Sequence, residues 1–275
     1  MPSDSPVARF EVLPTEDAVR QAARLPAPAH LTVTCSPRQG PDGSVAIGRR
    51  LAELGHTATV HIAARLVRDR AHADRLLGGM AEAGIEDLFL IGGDAARPAG
   101  PYAAAGDLLA DVREHPHAPR TIGIAGYPEG HPNIDPEALS RALAAKAPLA
   151  DYVTTQMCFD PDAIRAWSDA IRERGVTLPV LIGTPGAVDR IKLVKMALRL
   201  GIGASLGFLR KQRGLWHLLG LGRPARERVH DALAACLDDP DRNLVGFHYY
   251  TFNQLAETWN TVRERTNGDE EVASR

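Results

Sequence analysis

The chain has 275 residues, 44% of them hydrophobic and 24% charged, with a formal net charge of −2. That composition is ordinary for a globular protein; with no run of 18 apolar residues it gives no membrane span, and its scattered Arg and Lys give no footprint for nucleic acid. Three cysteines make no disulfide framework and Met1–Val7 lacks the form of a signal peptide, so the expected compartment is the cytoplasm and the expected partner a small molecule.

Residues 1–8 are polar and proline-containing and read as a disordered tail. Eight short apolar runs of strand length follow. They are RFEVLP at 9–14, HLTVTC at 30–35, TVHIAA at 59–64, LFLIGGD at 88–94, TIGIAG at 121–126, YVTTQM at 152–157, PVLIG at 179–183 and VGFHYY at 245–250.

Between them, helical spacing appears at Ser44–Leu54, Asp69–Ala83, Pro161–Arg174 and Val188–Leu200, each closed by a glycine (Gly55, Gly84, Gly175, Gly201). Asp135-Pro136 and Asp160-Pro161 each place an N-cap acid before a proline at the first helical position. Strands alternating with helices, without hairpin turns, imply parallel strands and right-handed crossovers. Eight strands fit a single (β/α)8 TIM barrel over residues 9–266, with a disordered tail at 267–275. An open doubly wound sheet would need a glycine fingerprint after the first strand, where Pro14-Thr15-Glu16-Asp17 stands instead. One segment breaks the alternation. Residues 202–240 hold two helical stretches, Ser205–Leu219 and Pro224–Leu237, as an insertion before the last strand, suited to cover the barrel mouth or to join copies of the chain in a homo-oligomer.

A barrel carries its site at the C-terminal ends of its strands. Those ends hold Glu11, Thr34, His61, Asp94, Tyr127 with Glu129 and His131, Gln156, Thr184 and the His248–Tyr250 region. Glu11 lies between Phe10 and Val12. Buried there it would keep its proton, and facing outward it would pair with a helix arginine. His61 and His248 fit either a polar pocket or simple packing. A divalent site from His61, His131, His248 and Asp94 is the chemistry of a metal hydrolase, but no HxH on a strand, HExxH or CxxC supports it, and His115-Pro-His117 lies in a loop on the other side of a barrel. No metal is expected.

Taken in order, FEVLP, VTC, GGD, GYPEGHP, TTQMCFD and FHYYTFN resemble the methylenetetrahydrofolate reductase family, from about Phe10 to Asn253. The resemblance implies a (β/α)8 barrel that reduces 5,10-methylenetetrahydrofolate to 5-methyltetrahydrofolate with NADH or NADPH, usually through bound FAD. Glu11 then matches the general acid that protonates N10. Asp94 matches the aspartate near the flavin and the pterin, Gln156 the pterin-contacting glutamine, and Tyr250 falls on the substrate side. Thr34, His61, Gly93, Tyr127 and His131 fall at flavin-contacting positions, as does Lys146 if one residue is deleted.

The chain departs from the family pattern at several of these places. Gly92 replaces an arginine, Ile62-Ala63-Ala64 replaces Leu-Thr-Cys, Gln254 replaces an arginine, and SLGFLRKQ at 205–212 replaces a glutamine-containing motif. The alternatives are direct, flavin-independent hydride transfer from NADH, a relative acting on another folate, or a non-catalytic folate-binding barrel.

Overall fold

The computed structural model describes residues 7–131, 133–187, 230–237 and 239–273. The eight apolar runs become β1 (Val7–Val12), β2 (His30–Val33), β3 (Thr57–Ala63), β4 (Asp87–Ile91), β5 (Thr121–Gly126), β6 (Tyr152–Met157), β7 (Val180–Pro185) and β8 (Leu244–Tyr250). Every neighbouring pair is parallel, and β8 closes on β1 to complete a barrel in sequence order. Interleaved with them are α1 (Glu16–Ala22), α2 (Gly40–Glu53), α3 (Arg70–Glu82), α4 (Ala105–Arg113), α5 (Pro136–Lys146) and α6 (Pro161–Glu173), with α7 (Leu255–Ala273) after β8. The architecture is a (β/α)8 barrel. No helix among the described residues is long and apolar enough to cross a membrane.

The local signals act as their chemistry requires. Asp69, Asp135 and Asp160 each accept hydrogen bonds from backbone N–H groups in the first turn of the helix they precede. Individual elements start or stop a few residues from their expected limits, and both expected tails are shorter than read. β1 starts at Val7, inside the expected tail, because Val7 and Ala8 pair with Gly246 and Phe247 of β8. α7 runs to Ala273, past the expected limit at residue 266. The helix expected at Val188–Leu200 and most of the 202–240 insertion lie outside the described residues.

The apolar core lies mainly between sheet and helices. Phe10, Leu31, Val60, Ile62, Leu88, Leu90, Ile122 and Ile124 are buried there with Leu51, Leu77, Met80, Leu108 and Leu109, each side chain contributing roughly 1.5–3 kcal/mol. The barrel interior is different. Its apolar cluster is Phe89, Tyr152 and Leu181, with Ile91 and Ala125 against it, and the rest of the lining is polar, where barrels usually stack branched aliphatic side chains. Strand alternation explains the split: Phe10 and Val12 point at the helices, so Arg9 and Glu11 point inward. Gly123 makes room inside, since a Cβ there would lie 2.1 Å from the Tyr152 ring.

Candidate active site

The polar interior is stacked in two layers. In the lower one Asp87, at the start of β4, gathers partners from four other strands. Arg9 Nη1 lies 2.9 Å from Asp87 Oδ2 as an ion pair, with an approach too oblique for an aligned hydrogen bond. Thr59 Oγ1 donates to Asp87 Oδ2 (2.9 Å), and Tyr152 OH donates to Oδ1 (3.0 Å). His30 Nε2 is 2.7 Å from Thr59 Oγ1; because the threonine proton goes to Asp87, the histidine is the donor in that contact. The Arg9 guanidinium sits 4.2 Å from the centre of the Tyr152 ring. Burial alone would raise the Asp87 pKa, but His30, Arg9 and Thr59 outweigh it and hold the carboxyl below its ordinary value.

Two residues further along the same strands the balance reverses. Glu11 Oε2 lies 3.2 Å from His248 Nε2 on β8, and His61 on β3 packs its ring 4.7 Å from Phe89 and 6.2 Å from His248. Burial raises the Glu11 pKa to about 7, only partly opposed by His61, which favours the neutral acid by about 3 kcal/mol over its solvated state. Burial also lowers His61 to about 4 and His248 to about 3, so both rings are neutral at physiological pH. Thr251 Oγ1 donates to the Glu11 carbonyl (2.6 Å), fixing the end of β1 against the end of β8.

Above this pair lies the mouth. Tyr250 OH donates to the Thr155 carbonyl (3.0 Å), and its pKa is raised by burial and then by Glu11, Cys158 and Tyr127. It therefore stands within electrostatic reach of both the acid and the strand-five loop. On that loop the Tyr127 and His131 rings meet edge to face at 5.3 Å. Burial raises the Tyr127 pKa, and nearby Asp94, exposed on the β4–α4 loop, raises it further. Gln156 Nε2 donates to the Gly130 carbonyl (2.9 Å) and ties the end of β6 to the same loop.

The structure thus brings together Glu11, His61 and Tyr250 in and above the barrel, and Asp94, Tyr127, His131 and Gln156 at its rim. Lys146 stands apart from them, in the last turn of α5, with its stem against Gly106 of α4 and its pKa lowered by burial. Glu129 is an anchor, accepting from Phe159 N (2.7 Å) and Asp160 N (2.9 Å) at the entry to α6. The grouping of His61, His131, His248 and Asp94 weighed for a metal does not form, because His131 and Asp94 sit on loops. Glu11, His61 and His248 do gather, each offering one ligand atom within 4.8 Å of the others. That donor set suits a borderline divalent cation, and its atoms are equally placed to share a proton.

Sequence reasoning missed the lower layer and Arg65. The signal for the layer was present: Arg9 stands two residues before Glu11 and so shares its face, as Thr59 does for His61. Arg65 carries no such signal, because its partners lie thirty or more residues away.

Fold and site together define a closed parallel barrel whose polar interior ends, at the C-terminal rim, in a carboxyl whose pKa burial raises to about 7, flanked by two neutral histidines. The family follows from the sequence. The model of the methylenetetrahydrofolate reductase family matches residues 16–199, and the chain belongs to that family. Thr34, His61, Asp94, Tyr127, His131, Lys146 and Gln156 fall within the matched segment; Glu11, His248 and Tyr250 lie outside it.

Among individual relatives, methylenetetrahydrofolate reductase 1 of Schizosaccharomyces pombe is 38% identical over 81 residues, 29% of this chain and 13% of the relative. Methylenetetrahydrofolate reductase 2 of Saccharomyces cerevisiae is 28% identical over 124 residues, 40% of this chain and 20% of the relative. A probable methylenetetrahydrofolate reductase (NADH) of Oryza sativa is 31% identical over 118 residues, 36% of this chain and 20% of the relative. The matched stretches span a fifth or less of these relatives' length. A crystal structure of a putative lyase/mutase from Burkholderia cenocepacia J2315 superposes with a TM-score of 0.51 at 15% identity, covering 97% of this chain and 83% of that one. It shares the fold.

Proposed function

We propose that this barrel reduces 5,10-methylenetetrahydrofolate to 5-methyltetrahydrofolate at the expense of NADH or NADPH, with Glu11 donating a proton to N10. The observation that carries this reading is the Glu11 carboxyl, which keeps its proton to about pH 7 while its side chain remains 14% exposed at the end of β1. Opening the five-membered ring requires a proton on a weakly basic amine, and an ordinary carboxyl would already be ionised at neutral pH. A positioned acid of matched pKa is worth about 10²–10⁴ in rate. His248 engages Oε2 and Thr251 holds the backbone, leaving Oε1 to deliver the proton. Gln156 and Tyr250, at the rim, bind and orient the pterin, and Asp94 faces it from the β4–α4 loop.

FAD would supply hydride carriage between the nicotinamide and the folate. The residues present fit such a group: Thr34 Oγ1 and His61 Nε2 are buried without hydrogen-bond partners near the rim, and buried polar atoms of that kind call for a partner. Thr34, His61, Gly93, Asp94, Tyr127 and His131 would hold it, with Lys146 further out. One observation favours a second reading, direct hydride transfer from NADH without flavin: Gly92 supplies no cation where flavin-binding relatives carry an arginine.

The test is the visible spectrum of the purified protein followed by turnover. Flavin absorption bleached by NADH and restored by methylenetetrahydrofolate supports the first reading; a colourless protein that consumes NADH only with methylenetetrahydrofolate supports the second. NADH consumption in neither form would overturn the reductase. Glu11→Gln should lower folate reduction by about 100-fold or more, and in a flavin-loaded protein NADH oxidation by an artificial acceptor should survive.

A further inference from the structure

We propose that Arg65 is a positioning residue that welds the loops following β3 and β4 into one ledge and so fixes where Asp94 stands. The proposal rests on the reading of Asp94 as a group facing the folate. Residues 92–104, between β4 and α4, form a loop without helix or strand of its own, and a loop of that length is costly to order unless something pins it. Arg65, just beyond β3, spends its whole guanidinium on that task. Its Nε donates to the Ala95 carbonyl (2.7 Å), Nη2 to Ala96 (2.9 Å) and Nη1 to Ala103 (2.8 Å). Its own backbone joins in, Arg65 N donating to Gly92 O (3.0 Å) and Ala99 N to Arg65 O (2.8 Å).

The two loops also touch too closely for side chains. Gly93 has φ +88°, and a Cβ there would lie 2.8 Å from the Ala63 Cβ; a Cβ at Gly100 would lie 2.0 Å from the Arg68 carbonyl oxygen. Asp107 Oδ2 accepts from the Ala103 and Ala104 N–H groups (2.9 and 2.8 Å), closing the far end of the loop. Asp94 therefore has Gly92 and Gly93 clamped on one side of it and the Ala95 and Ala96 carbonyls clamped on the other. Charge-assisted hydrogen bonds are about twice as strong as neutral ones, and a planar fork can serve three separated carbonyls where the single ammonium of lysine cannot. Asp94 keeps its place because the Arg65 guanidinium is bonded to the carbonyls of the residues that follow it.

The test is a double-mutant cycle in the full-length protein, using Asp94→Asn, Arg65→Ala and the pair, with kcat and KM for methylenetetrahydrofolate and the thermal midpoint of each variant. Arg65→Ala is expected to lower kcat/KM about tenfold with most of the loss in KM, and to cost no more than about twofold when Asp94 is already Asn. Arg65→Lys should recover little of the loss, and it replaces Arg65→Ala in the cycle if the alanine variant does not fold. An Arg65 effect of equal size with and without the Asp94 carboxylate would show general support of the fold and overturn the proposal. A null effect of Asp94→Asn alone would instead remove the reading of Asp94, and the proposal with it, leaving the role of Glu11 standing.

Discussion

The two polar layers inside this barrel share β1, β3 and β4, lie two residues apart on them, and differ in charge state. In the lower layer Asp87 is ionised because Arg9, His30, Thr59 and Tyr152 all face it. In the upper layer Glu11 has only the neutral rings of His248 and His61 beside it, and burial wins. A buried carboxyl is thus held ionised when a cation lies beside it and keeps its proton to higher pH when none does. The sharpest way to break this contrast is at the floor. Asp87→Ala leaves Arg9 buried without its counter-charge and should destabilise the fold by about 3–5 kcal/mol, seen in urea denaturation. Adding Arg9→Met should recover much of that loss. If the single variant costs under about 1 kcal/mol, comparable to an exposed pair, the floor is not the sealed ion pair described.

The upper layer is tested through the rate. Four groups face one another there: Glu11, His61, His248 and Tyr250, with Arg9 beneath. His61 and His248 titrate near 4 and 3, and Tyr250 is pushed well above 10, so Glu11 alone among these four changes charge near neutrality. A general acid works only while protonated. kcat/KM for methylenetetrahydrofolate should therefore be level below about pH 7 and fall about tenfold for each pH unit above it, and Glu11→Gln should abolish that limb along with most of the activity. A profile level to pH 9 would take the acid role from Glu11.

How much of this could be read without coordinates divides along physical lines. The eight strands and their order were legible because each is a short apolar run, several of them ended by glycine or a polar residue, and because aspartates cap helices between them. Glu11 was legible as an anomaly in an apolar strand. The floor was not: an alternation such as Arg9, Phe10, Glu11, Val12 reads equally as one strand face in solvent, and only closure of β8 onto β1 turns the polar face inward. Glu129 stood inside a readable motif, yet its task of holding two N–H groups at α6 depends on loop geometry. Arg65 was silent for the same reason.

The smallest effect expected concerns His248, and it separates a neutral ring from a charged partner of Glu11. Burial lowers its pKa from 6.5 to about 3. Below pH 6.5 the unfolded chain takes up a proton that the folded ring refuses, so stability falls as pH falls from 6.5 toward 3. His61 acts in the same direction down to about 4, while Glu11, raised to about 7, opposes them between 7 and 4.5 because its folded form holds the proton more tightly. Between pH 6.5 and 4.5 these two rings, joined by His30, whose pKa burial also lowers, reduce stability on acidification while Glu11 raises it. His248→Asn removes one of these rings, and the dependence of unfolding free energy on pH should become shallower by about 1.4 kcal/mol per pH unit across that window. An unchanged slope would mean that His248 is protonated in the folded barrel, in which case Glu11 beside it is a carboxylate and the two layers are alike after all.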